Sequence, residues 1–324
     1  MAASALGDIQ IRDPFLLVVP DGEGYVLFGS TDPDVWSGPG RGFDCWTSAD
    51  LVEWHGPIAA FRPPADFWSS GQFWAPEVYA YAGRWHMFAT FGGPGVVRGT
   101  AVLVADAPTG PYTPWSTGAV TPDGWECLDG TLHIDAEGAP WMVFCHEWLQ
   151  VGDGEVHAQR LTEDLRSAAG PPSLLFRASQ AAWARALNAP QAADDSDGRE
   201  HDGEDGQAAY VTDGPFLHRT GDGTLLMLWS SWGDAGYAMG VARSESGHVL
   251  GPWVQQGTPL WSSDGGHGMV ARLPGGGLVL ALHQPNETPR ERAVILPLRE
   301  VSGGIELARP HRAGGPGDGP GCGA

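Results

Sequence analysis

The chain has 324 residues, a formal net charge of −21, and 18 basic residues, all of them arginine. An acid excess of that size argues against nucleic acid as a partner, because phosphate binding requires a basic face. No run of about 18 apolar residues occurs, and Met1–Asp8 carries neither a basic n-region nor an apolar h-region, so the expectation is a cytoplasmic protein with no membrane partner.

The 15 Trp and 48 Gly fit many short strands joined by tight turns, and no segment holds a helical period. The cysteines, Cys45, Cys127, Cys145 and Cys322, lack the close pairing of a metal site and read as free thiols. The first hairpin begins with the charged pair Arg12 and Asp13, followed by the apolar strand Phe15 to Val19, the turn Pro20–Gly24 and a second strand, Tyr25 to Ser30. Pro14 cannot donate a ladder hydrogen bond, which places Asp13 at the start of its strand.

The second strand of this hairpin recurs at Gly83–Thr90, Ala139–His146, Gly223–Ser230 and Gly277–His283. Five copies of one strand signature mean a repeat architecture. Each copy is preceded by a strand with a polar or acidic opening: Trp74-Ala75-Pro76-Glu77, Leu128-Asp129-Gly130-Thr131, Asp213-Gly214-Pro215 and Gly266-His267-Gly268. A third strand follows at Phe43–Ser48, Gly99–Ala105 and Tyr237–Ala242. Four short strands per unit in five units predict an all-β fold, a five-bladed β-propeller, over residues 1–310.

The interval between the third and fourth copies is longer than the others, and the excess falls at residues 178–209. Ser179–Leu187 admits a short helix, whereas 194–206 is charged, has no apolar residue and reads as a disordered loop. The Pro/Gly-rich residues 311–324 read as a disordered tail.

In a propeller the innermost strand of each blade starts beside the axis, so Asp13, Trp74 to Glu77, Asp129, Asp213 and His267 should converge on one funnel. Each aspartate alone is an ordinary turn residue. Together they are costly, because crowded carboxylates raise each other's proton affinity unless the cluster serves chemistry. Trp36, Trp125, Trp148 and Trp232 fall on loops or strand ends, while Trp85, Trp141 and Trp229 are mid-strand and expected in the core.

The order Asp-Pro-Phe at the first inner strand, Trp-Ala-Pro-Glu-Val at the second, Asp129 at the third, acidic Gly-Pro at the fourth and Gly-His-Gly at the fifth resembles glycoside hydrolase family 43. The resemblance runs from about residue 9 to 300. It implies a five-bladed propeller that hydrolyses arabinose-, xylose- or galactose-containing oligosaccharides of plant polysaccharides with inversion. Asp13 then matches the general base, Asp129 the carboxylate that orients and tunes the acid, and Asp213 the general acid.

At that last position the family's usual residue is Glu. Asp213 is one methylene shorter, so Glu77 and Glu147 are the alternative acids. Trp74, Glu77, His146 and His267 are the expected substrate-binding residues, with indole faces such as that of Trp74 suited to stacking on sugar. The resemblance implies no required cofactor and admits a Ca²⁺ ion in the central channel near His267. A sugar-binding propeller that has lost catalysis is the competing function, with Asp213 as the trace of that loss. A retaining fructoside-type propeller is disfavoured by the missing Trp-Met-Asn-Asp-Pro opening. Oligomeric state is not legible.

Overall fold

Strands such as Leu278–Gln284 and Tyr25–Ser30 are apolar at consecutive positions rather than alternating. That pattern suits a strand covered on both faces. In the computed structural model, which describes residues 3–22, 24–187 and 208–308, they sit in five antiparallel sheets. Blade one comprises Arg12–Val18, Tyr25–Ser30, Phe43–Ser48 and Glu53–Phe61, with Ala3–Ala5 added at its outer edge. Blade two is Gly71–Tyr81, Arg84–Gly93, Val96–Ala105 and Thr113–Pro114.

Blade three is Cys127–Ile134, Pro140–His146, Glu155–Arg160 and Ser173–Arg177. Blade four is Asp213–Arg219, Leu225–Gly233, Gly236–Ser244 and Trp253–Gln255. Blade five is Gly266–Arg272, Leu278–Gln284, Arg292–Val301 and Gly304–Leu307. The molecule is a five-bladed β-propeller, as the repeat predicts. Aromatic rings fill the space between blades one and two, where Phe73 and Phe91 meet edge-on with centroids 4.9 Å apart.

The inner strands share one irregularity. Each loses its pairing register at a bulge after Arg12, Trp74, Leu128, Asp213 and Gly266. The next residue is left-handed in every case: Asp13 (φ 52°), Ala75 (46°), Asp129 (57°), Gly214 (51°) and His267 (48°). Its N–H reaches to the second strand of the preceding blade. Ala75 donates to Ser30 Oγ (2.9 Å), Asp129 to Thr90 Oγ1 (2.8 Å), His267 to Ser230 Oγ (2.8 Å) and Asp13 to His283 Nδ1 (3.2 Å). The fifth acceptor position holds Cys145, a weak acceptor, and Gly214 N–H turns instead to Asp129 Oδ2 at 3.0 Å.

The sequence between blades three and four departs from expectation. Ala178–Gln180 forms a single 3₁₀ turn, and no helix covers Ser179–Leu187. Trp183 is pulled into the core against Trp229, with centroids 4.8 Å apart, over Gly240, where a Cβ would lie 2.3 Å from the indole. The backbone bonds outward instead of along a helix: Arg185 N–H to Trp232 O at 2.8 Å, Leu187 N–H to Ala209 O at 2.7 Å. Residues 194–206 and 311–324 lie outside the described residues. Among the described residues no helix is long and apolar enough to cross a membrane. Of the mid-strand tryptophans, Trp229 is fully buried, whereas Trp85 and Trp141 are half-buried.

The inter-blade bonds predict a measurable stability term. Ser230→Ala would leave the buried His267 N–H without its acceptor, so urea denaturation should show a loss of about 1–3 kcal/mol. An unchanged midpoint would mean that the bond contributes nothing to blade packing.

Candidate active site

The bulges determine which side chains meet. Arg12, Trp74, Leu128 and Asp213 come from the position before the left-handed residue, and Asp13, Asp129 and His267 from the left-handed residue itself. All line one cavity of about 130 Å³. Asp13 and Asp129 are therefore repeats of each other under the propeller's pseudo-symmetry, and Asp213 is not. It stands one residue earlier in its strand, at the place occupied by Arg12 and Trp74 in their blades. Gly214 takes the left-handed position in blade four, where a Cβ would lie 2.8 Å from the His267 ring.

The three buried carboxylates have different partners. Ser30 Oγ donates to Asp13 Oδ2 at 2.7 Å, His267 Nδ1 lies 3.2 Å from Asp13 Oδ1, and Arg12 Nε lies 3.7 Å away. Burial favours a protonated Asp13, but His267, Arg12 and the Ser30 bond outweigh it and hold the group below the usual carboxylate range. His283 Nδ1 is also 3.5 Å from Asp13 Oδ1. Burial and Arg12 push the His283 imidazole down to about 3, so it is neutral and serves as the acceptor of the Asp13 N–H rather than as a countercharge.

Asp129 lies 3.7 Å from His267 Nδ1 and accepts the Gly214 N–H. Burial, and then the charge on Asp13, raise its pKa well above the ordinary value. Asp213 accepts a 2.9 Å hydrogen bond from the Tyr237 hydroxyl. Burial, and then Asp129, raise it likewise. The proton affinity of one carboxylate is thus lowered beside two in which it is raised, the separation that acid–base chemistry uses.

Glu147 also faces the cavity, but Arg98 Nη1 pairs with it at 2.7 Å, and the Arg98 guanidinium lies 4.6 Å from the Trp74 ring centroid. Trp74 is held by its indole N–H, which donates to Val35 O at 2.5 Å, and by edge contact with Trp36. Two residues expected at the sugar site are not among the residues lining the cavity. Glu77 is two residues past the left-handed Ala75 and accepts a hydrogen bond from the Tyr79 phenol; burial raises it to about 7. His146 stacks on Trp125 with centroids 4.2 Å apart and bonds to Gln150. His146, Glu155 and His157 form a group whose ligand atoms all lie within 4.8 Å of one another and could hold a metal ion.

Several lining residues escape a reading of the inner strands. Arg98 is a lone charge in the apolar strand Val96–Ala105, a signal in itself; Tyr237, Leu187, Asn286 and Thr288 arrive from loops and strand ends with no local mark.

Buried carboxylates of opposed proton affinity around one cavity of a propeller suit acid–base hydrolysis of a glycosidic bond. Residues 7–300 match the glycosyl hydrolases family 43 profile, and the chain belongs to that family. It is 42% identical to the crystallised endo-arabinase of Bacteroides thetaiotaomicron VPI-5482, with a TM-score of 0.82 over 93% of this chain and 98% of that one. A thermostable family-43 glycoside hydrolase (24% identity, TM-score 0.72, 95% and 96% covered) has the same fold. So does an endo-1,4-beta-xylanase from Bacteroides thetaiotaomicron VPI-5482 (21%, 0.71, 95% and 97%).

Carbon-13 NMR titration of the aspartate carboxyls should find Asp13 below the ordinary aspartate value and Asp129 and Asp213 above it. The Tyr237 bond favours the ionised form of Asp213, so Tyr237→Phe should move that titration further up. A downward move would show that the phenol is not bonded to the carboxylate.

Proposed function

We propose that the protein hydrolyses α-L-arabinofuranosidic linkages in arabinan-derived oligosaccharides with inversion of configuration. The reading rests on one observation: three buried carboxylates face one cavity in different settings, Asp13 held below the usual carboxylate range by His267, Arg12 and Ser30, Asp129 and Asp213 raised above it by burial. The preference for arabinose is supported by the 42% identical endo-arabinase.

In this mechanism Asp213 gives its proton to the glycosidic oxygen as the C–O bond breaks. Asp13 takes a proton from a water that attacks the opposite face of the anomeric carbon. Asp129 carries no proton to substrate; its negative charge beside Asp213 raises the proton affinity of the acid. The one-residue offset of Asp213 supports this division, because a residue outside the Asp13/Asp129 pseudo-symmetry approaches the sugar from a different direction. Tyr237 fixes the short Asp213 side chain, which has less reach than the family's usual Glu.

A Ca²⁺ ion near His267 would need six to eight oxygen ligands. Near that ring one oxygen of Asp13 is taken by Ser30 and one of Asp129 by the Gly214 N–H, so such an ion would draw most of its shell from water. No step here passes through a metal.

Release of sugar from arabino-, xylo- and galacto-oligosaccharides tests the substrate, with turnover expected on the arabinose series. Turnover on none would favour a sugar-binding propeller. Asp13→Asn should cost about 10²–10⁴-fold or more on every substrate, since no leaving group compensates for an unactivated water. Asp213→Asn should cost as much on natural linkages and less than about tenfold on aryl arabinofuranosides whose leaving group needs no proton.

The kcat/KM profile should be bell-shaped. Its acid limb falls as Asp13 gains a proton below the usual carboxylate range, and its alkaline limb falls as Asp213 loses one above that range. Retained configuration in the first product seen by NMR would overturn the inverting assignment.

A further inference from the structure

His146 ends the second strand of blade three and stands opposite Glu155 on the third, and His157 follows two residues later on the same face. Glu155 Oε2 is 2.8 Å from His157 Nε2 and 3.4 Å from His146 Nδ1. Three donors about a tetrahedral zinc ion would stand roughly 3.3 Å apart. In the third pair, the ligand atoms of His146 and His157 lie within 4.8 Å of each other.

The hydrogen bonds around His146 say which nitrogen is available. Gln150 Oε1 accepts the Glu126 N–H at 2.9 Å, and Gln150 Nε2 donates to Gly124 O at 3.0 Å, so the amide orientation is determined. His146 Nε2 lies 2.7 Å from that same Oε1 and must be the donor. In the neutral ring Nδ1 is then a lone pair, buried, with no hydrogen-bond partner, and turned toward the carboxylate oxygen of Glu155. Two lone pairs face each other at 3.4 Å, an arrangement that a cation between them relieves. A metal-binding histidine shows this pattern, with one nitrogen toward the ion and the other donating to an outer partner.

The surroundings also fix which carboxylate oxygen is available. Glu155 Oε1 is occupied by Arg177 Nη2 at 2.6 Å, which leaves Oε2 as the ligand atom. Trp125 lies flat on His146 and edge-on to His157 at 5.1 Å.

We propose that His146 Nδ1, His157 Nε2 and Glu155 Oε2 bind one zinc-class divalent ion, with water completing the tetrahedron. The ion would anchor the strand end from which Glu147, Trp148 and Leu149 reach the cavity wall. The proposal does not depend on which glycoside is cleaved.

The chelator-treated full chain, titrated with Zn²⁺ in a calorimeter, should bind one equivalent per chain and melt at a higher temperature when loaded. Co²⁺ in its place should give the visible absorption of a tetrahedral centre. Glu155→Gln and His157→Gln should abolish that equivalent. Gln150→Ala, at an exposed position that does not threaten folding, should weaken it about 10–100-fold. His248→Gln, in the separate group formed with Asp135 and Glu137, should leave it unchanged. Absence of a stoichiometric equivalent in the wild-type chain would overturn the proposal. An equivalent that survives all three changes at this site would place the ion elsewhere and overturn it too.

Discussion

The structure depends on the hydrogen bond that four of the five inner strands send, from the N–H of the left-handed residue at their bulge, to the second strand of the blade before. A bulge lifts that N–H out of the ladder, and a buried N–H must be paired somewhere. Ser30, Thr90, Ser230 and His283 supply the acceptors, and the ring closes from blade five back to blade one through His283 and Asp13. A left-handed conformation costs about 1–2 kcal/mol for a residue with a Cβ, and at Asp13, Asp129 and His267 it brings the side chain to the cavity. Ser30 shows the economy: its oxygen accepts from Ala75 of the next blade while its hydroxyl donates to Asp13.

The place where the ring is broken is also informative. Cys145 stands where the other blades have a serine, threonine or histidine, so Gly214 N–H bonds to Asp129 instead. The inter-blade bond of blade four is thereby made by a carboxylate of the site itself. That bond opposes the rise that burial and Asp13 impose on Asp129, so blade packing and proton affinity are linked through one contact. Arg12 and His267 do the corresponding work at Asp13, and there they prevail over burial.

Much of the fold was legible because a propeller blade is covered on both faces. Its strands are then short apolar runs, and five of them recur with a polar opening each. The same openings led to Asp13, Trp74, Asp129, Asp213 and His267, all of which line the cavity. Asp213 stands one residue out of register with Asp13 and Asp129, although Asp129-Gly130 and Asp213-Gly214 look alike. The prolines mark the difference: Pro14, Pro76 and Pro215 each follow the left-handed residue, which puts Gly214, not Asp213, beside Asp13 and Ala75 in the repeat. Glu77 lies two residues beyond that point and so is carried past the cavity wall. Arg98, Tyr237 and Leu187 reach the cavity through blade and loop geometry that no local pattern encodes. The Trp183 segment was misjudged because an isolated Ala-rich stretch favours helix, whereas a tryptophan that can fill the space over Gly240 overrides that preference.

The most direct test of the central claim, that the ring holds Asp13 and Asp213 on opposite sides of one glycosidic bond, is a crystal structure of the Asp213→Asn variant with an arabino-oligosaccharide bound. The residue 213 amide should lie within about 3 Å of the glycosidic oxygen, with a water held by Asp13 on the far face of the anomeric carbon. A scissile oxygen seated instead against Glu147 or Glu77, or a sugar with no water between it and Asp13, would contradict it.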